Sequence, residues 1–165
     1  MTVVTDYIHP EGDLRQWADA SDLVVVGTIA DSRVEVTPRD AKLPPRVTTI
    51  YEVVIDDTVR GTGREGRILV RVPGGRVDVG DKILDVVTPS MPRLEKGQRY
   101  VLLLKRDDSV AAKAASAPIY GPLAGGETVF AVSADQHVKT PGQGRLARAF
   151  EGKTVAELLA ELRGK

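Results

Sequence analysis

Residues 23–29 read LVVVGTI, and this stretch decides the fold. Leu23-Val24-Val25-Val26 is four consecutive apolar residues, three of them β-branched, too short for a helix and without helical spacing. Such a run suits a strand buried on both faces. Gly27 interrupts it, and the pattern resumes through Thr28 and Ile29 toward Val36. A glycine weakens a strand unless the chain must bend or coil sharply there, as barrel strands do. A second run of the same kind, Tyr100-Val101-Leu102-Leu103-Leu104, lies far along the chain and predicts a second deeply buried strand. Between them, residues 47–59 alternate, with Val47, Thr49, Tyr51, Val53, Ile55 and Val59 on one face. Ile50 and Val54 make the other face partly apolar, which predicts a central or strongly curled strand. Ile68, Val70 and Val72 mark the next strand, and Ile83 to Val87 another. Pro73-Gly74-Gly75 reads as a hairpin turn, because glycines accept the positive φ that tight turns require. Ile119-Tyr120-Gly121 and Thr128 to Val132 read as the closing strands. Val25, Ile55, Val70 and Leu103 are expected to be buried.

Helix is confined to the ends. Residues 1–12 form an extended lead-in, broken by Pro10 and Gly12. Asp13 then caps a short helix that buries Leu14, Trp17 and Ala18. The tryptophan there anchors the helix to the body. Near the other end, Thr154 and Glu157 form a capping box, and Val155, Leu158, Leu159 and Leu162 make one apolar stripe. This predicts a helix over 154–163, with Gly164 as its stop. Residues 13–165 therefore read as one domain, a length that supports a proper core.

Composition excludes several classes. Lys+Arg and Asp+Glu both number 23, so the basic excess that phosphate binding calls for is missing. Arg60, Arg64, Arg67, Arg71 and Arg76 gather in one stretch, but Asp56, Asp57, Glu65, Asp78 and Asp81 share it. A base-stacking surface also needs exposed aromatics. The chain has one tryptophan, four tyrosines and two phenylalanines, and Tyr51, Tyr100 and Phe130 fall in strands where the core claims them. Nucleic acid is therefore not the expected partner. Cysteine is absent, which removes disulfides, thiol nucleophiles and thiolate zinc sites. The longest apolar runs are too short to span a bilayer. No basic region followed by an apolar stretch opens the chain, so either the protein stays in the cytoplasm or its export signal has been removed.

Taken together, ADASDLVVVGTI, TTIYEVVIDDTVRG, ILVRVPGG, LEKGQRYVLLLKR, ETVFAV and GKTVAELLAELR resemble a widespread set of uncharacterised, mostly exported bacterial proteins. These are similar in turn to the fold of netrin modules and tissue inhibitors of metalloproteinases. The resemblance spans about residues 14–163. It implies a mainly β fold, a small, partly open OB-like barrel with short helices at both ends, and a place outside the cytoplasm. It implies no activity. Metalloproteinase inhibition in that family uses an N-terminal cysteine on the target's zinc, and this chain has none.

No motif for catalysis emerges. His9 and His137 stand near opposite ends without a partner histidine at ligand spacing. Ser90 lies between prolines with no nucleophile-elbow pattern. Asp56 with Asp57 and Asp107 with Asp108 are adjacent pairs, and adjacent strand residues point to opposite faces, so neither is a ready acid–base couple. Asp85 stands alone. The sequence therefore names no catalytic, cofactor or metal residue, and predicts neither cofactor nor structural zinc. The expected function is a non-catalytic binding module with a protein partner, contacted through loops 37–46, 60–66, 88–98 or 121–127. The alternatives are a hydrolase assembled from scattered residues, such as His137 with a carboxylate, or an OB-type oligosaccharide or nucleic-acid binder. A histidine and a carboxylate in a concave cluster would mark the first; an exposed row of tyrosines and arginines would mark the second.

Overall fold

The two consecutive apolar runs lie side by side at the centre of the protein. In the computed structural model, which describes residues 2–4, 13–62, 66–89, 91–109, 117–140 and 149–164, strand β2 (Leu23–Thr37) pairs antiparallel with both β3 (Arg46–Arg60) and β7 (Arg99–Arg106). Strand β4 (Arg67–Pro73) continues antiparallel from β3, and β8 (Ile119–Pro122) runs parallel to β4. Strand β8 then returns to β7, which completes a ring of five strands. The ring is not a closed barrel. β8 covers only Leu104 to Arg106 of β7, while Arg99 to Leu102 pair with β9 (Val129–Val132), and β10 (Val138–Lys139) adds to β9.

Side chains that alternate along these strands divide into two cores. Leu23, Val25, Val53, Val70, Tyr100, Leu102, Leu104 and Tyr120 belong to one cluster, drawn from all five ring strands. Val24, Val26, Val101, Leu103 and Phe130 face the other way, where helix α1 (Leu14–Ala20) and helix α2 (Val155–Leu162) cover them. Burial on both faces explains why β2 and β7 carry unbroken apolar runs where a one-sided strand would alternate. Both helices are capped as their residues dictate. The Gln16 amide donates to Asp13 Oδ1 at 2.9 Å, and the Glu157 amide to Thr154 Oγ1 at 3.2 Å. Trp17, Leu158 and Leu162 seat the two helices on the sheet.

Gly27 marks a close approach. A Cβ there would stand 2.5 Å from Val53 Cγ1 and 2.9 Å from the Val54 carbonyl oxygen. The β2–β3 ladder slips between Val24 and Val25, Val26 and Gly27, and Ile29 and Asp31, so it coils strongly. One slip leaves Val59 without a partner in β2, which turns it toward the helices and breaks the expected common face with Tyr51 and Val53. Ile55, expected in the core, is only half-buried, because the β3–β4 ladder ends at Val54.

Pro73-Gly74-Gly75 does not make the expected hairpin. Strands β4 and β5 (Gly75–Val79) do not pair with each other; the glycines carry the chain from the ring into a second sheet. There β5 pairs with β6 (Lys82–Val87), and β1 (Thr2–Val4) lies parallel on the far edge of β6. The tight turn sits at Gly80, between β5 and β6. Gly74 has φ +98°, and a Cβ on it would meet the Val86 carbonyl oxygen at 2.8 Å. A residue with a side chain could not make this crossing unstrained. Val34, Val47, Val77, Leu84 and Val86 pin the small sheet to the outer part of the β2–β3 hairpin.

Candidate functional site

The crossing at Gly74 and the loop that follows β6 enclose a cleft of about 320 Å³ between the two sheets. Thr49, Tyr51, Val72 and Gly74 form its ring side, Asp85 to Val87 its small-sheet side, and Thr88, Pro89, Met91, Pro92 and Arg93 its rim. The rim is held by its own apolar residues. Met91 and Leu94 are buried in the ring core. The Leu94 amide donates to the Tyr51 hydroxyl oxygen at 3.1 Å, and the Glu95 amide to that of Tyr100 at 2.9 Å. Burial pushes both hydroxyls above the ordinary tyrosine value, so both remain protonated at neutral pH. Thr49 Oγ1 donates to the Gly74 carbonyl at 2.8 Å and fixes the crossing against β3. At the mouth, the Arg93 guanidinium pairs with the Asp85 carboxylate.

The cleft is lined by apolar groups such as Val72, Val86, Val87 and Met91, by the hydroxyls of Thr49, Tyr51 and Thr88, and by the paired Asp85 and Arg93. A single carboxylate bound to a guanidinium supplies neither a free general base nor a second acid. Its size lies at the lower end of small-ligand sites and also suits a side chain of a larger partner.

The residues singled out from sequence do not converge on this cleft, apart from Asp85. His137 lies on the turn joining β9 to β10, where Nδ1 stands 3.2 Å from the Asp135 carboxylate, two positions away. Its amide donates to Ser133 Oγ, so the group stabilises a turn rather than lining a cavity. His9 and Ser90 lie outside the described residues. Asp56 and Asp57 do point apart: Asp56 accepts from Thr28 Oγ1 at 3.0 Å, and Asp57 faces Arg163 at 3.3 Å. Asp107 accepts from the Ser109 amide and pairs with Arg71 at 2.9 Å. Burial acts to raise its pKa, but the Ser109 hydrogen bonds with the Arg71 and Arg46 charges outweigh it, and the net shift is downward. Asp108 stands 3.9 Å from Arg106. Among the described residues, no group of three acids or histidines is placed to hold a metal ion. Nor, among those residues, is any helix long and apolar enough to cross a membrane.

Of the loops named from sequence, 88–98 supplies the cleft rim through Thr88, Pro89, Met91, Pro92 and Arg93. Segment 121–127 is packed instead, with Ala124, Gly125 and Gly126 buried against the body. Loop 38–45 is exposed and carries Leu43 at its tip, 56% accessible. Only part of 60–66 falls among the described residues. Tyr51, Tyr100, Tyr120 and Phe130 are buried, so the row of exposed tyrosines that would mark a base- or sugar-stacking face does not form from them. Sequence reading missed the pairing of Asp85 with Arg93 and the role of Thr49. A signal was present in the loop: Met91 bracketed by Pro89 and Pro92, an apolar residue held in a rigid frame.

No family model matches this chain, and no curated protein matches it.

Proposed function

We propose that this protein is a non-catalytic interaction module, an OB-type barrel of the netrin and metalloproteinase-inhibitor kind, that binds a protein partner through the cleft between its two sheets. The cleft carries this reading. Its walls carry Val72, Val86, Val87 and Met91 beside the hydroxyls of Thr49, Tyr51 and Thr88, its rim is anchored by Met91 and Leu94, and its two charged groups pair with each other. A rigid, largely apolar recess with a polar lip suits recognition of a side chain or segment of another protein. The barrel assignment is supported by the strand order β2-β3-β4-β8-β7 and the parallel β4–β8 contact. A place outside the cytoplasm follows from the resemblance alone.

Affinity capture from the envelope fraction of the native host tests the reading, with the wild-type chain beside an Arg93→Glu variant. A protein retained by the wild type and lost with Arg93→Glu supports it. Equal retention by both removes the cleft as the contact.

A further inference from the structure

Strand β6 has two edges, and they are filled unequally. Along one, β5 pairs over five positions, from Gly75 opposite Val86 to Val79 opposite Lys82. Along the other, β1 pairs at only three: Thr2 with Asp85, Val3 with Val86 and Val4 with Val87. β1 is the outermost strand of its sheet and bonds to β6 alone among the described strands. A three-residue strand held along one edge belongs to the parts of a sheet that open most readily. Asp85, Val86 and Val87 are also the cleft's small-sheet wall. The slot that holds β1 and the cleft therefore share the same three residues.

We infer that this edge of β6 is a strand acceptor: an extended, β-branched segment of a partner protein takes the place of β1, pairing in parallel with Asp85–Val87. The inference rests on the interaction-module reading. Strand addition to an open edge draws affinity from main-chain hydrogen bonds and specificity from neighbouring pockets. Here the structure supplies both, an edge already paired with an extended chain and a recess beside it. The occupant in place, Thr2-Val3-Val4, defines what fits: β-branched residues that favour extended backbone, with no proline at a bonded position. The walls Val72, Val87 and Met91 favour an aliphatic side chain over a charged one, since Asp85 and Arg93 already neutralise each other. β1, tethered in the same chain, competes at an effective concentration on the order of millimolar. A partner strand prevails by filling the cleft as well as the edge.

The test compares the full chain with a variant lacking residues 1–5. Both are titrated with a synthetic peptide of residues 1–8, MTVVTDYI, and with the same peptide carrying Val3→Pro. The readout is the amide resonances of Asp85 to Val87 and the Met91 methyl. The shortened chain should show saturable shifts there, the full chain should need about tenfold more peptide or more, and the proline peptide should shift nothing. Should the shortened chain fail to fold, the full chain with Val3→Pro, which weakens β1 in place, takes its role. A folded chain showing no shift at about 1 mM peptide overturns the inference, since that matches the concentration the tether provides. So does a full chain that dimerises while the shortened chain stays monomeric, for the edge would then take a second copy. If the peptide fails while Arg93→Glu still abolishes capture of a partner, the strand acceptor falls and the interaction module stands.

Discussion

Leu103 is fully buried on the face of β7 turned toward the helices, in the same cluster as Leu158 of α2. Its neighbour Leu102 is equally buried but faces the interior of the ring. Truncating either leucine to alanine removes apolar surface and leaves a cavity that close-packed neighbours fill only in part. Each should cost roughly 2–5 kcal/mol. For a chain of this length that corresponds to a fall in Tm of about 4–20 °C. The discriminating quantity is the coupling to α2. Leu103→Ala and Leu158→Ala share one cluster, so their joint effect should depart from additivity by about 0.5–3 kcal/mol. Leu102→Ala and Leu158→Ala lie on opposite faces of the sheet and should add within about 0.5 kcal/mol. Urea unfolding of the wild type, the three single variants and the two double variants, analysed as two cycles, measures both values. A near-zero loss for Leu103→Ala, or equal coupling of Leu102 and Leu103 to Leu158, would refute the division into two cores.

Gly74→Ala should destabilise the protein by roughly 1–3 kcal/mol, because it combines a left-handed φ with a Cβ 2.8 Å from the Val86 carbonyl oxygen; a stability within error of wild type in urea would mean that the crossing adjusts freely. The Asp22 carboxylate accepts from the Arg106 amide at 2.8 Å, and that bond, aided by Lys105, lowers its pKa below the ordinary value of 3.8. A lowered folded pKa contributes stability above the unfolded value and loses it as pH falls through the folded one. Asp22→Asn should therefore be less stable than wild type at pH 7, and the difference should shrink as pH falls below the ordinary carboxylate value and through the lowered folded one; an unchanged difference between the two melting curves across an acid titration would contradict the role of that carboxylate.

Much of the architecture was legible because it is written in local chemistry. The unbroken runs at Leu23 and Tyr100 announced strands buried on both faces, and Thr154 with Glu157 announced the helix that provides the second face. The interruption at Gly27 likewise corresponds to a place where the β2–β3 ladder slips and coils, although the close approach of β3 there left no mark in the sequence. The failures arise where a distant partner decides the outcome. Pro73-Gly74-Gly75 carries the same turn signal whether the next strand folds back or crosses to another sheet, and only the contact of Gly74 with Val86 separates the two. Val59 left its expected face because the ladder slips beside it, and slips in register leave no mark in a period-two pattern. The cleft was illegible for the same reason. Asp85 stood alone in the sequence, and its opposition to Arg93 depends on the loop after β6 bringing Arg93 back beside it. The buried segment 124–126 was mistaken for an exposed loop because its two glycines signal a turn whether or not the turn is covered.

The claim that the cleft is where this protein meets its partner is tested most directly by site-specific photo-crosslinking. A photoreactive residue placed at Arg93, on the rim, is compared with one at Arg163, at the end of α2. After irradiation in the host's envelope fraction, position 93 should yield a discrete covalent adduct with a second protein, and position 163 should not. Adducts formed chiefly from position 163, or none from position 93 while the protein still retains a partner, would contradict it.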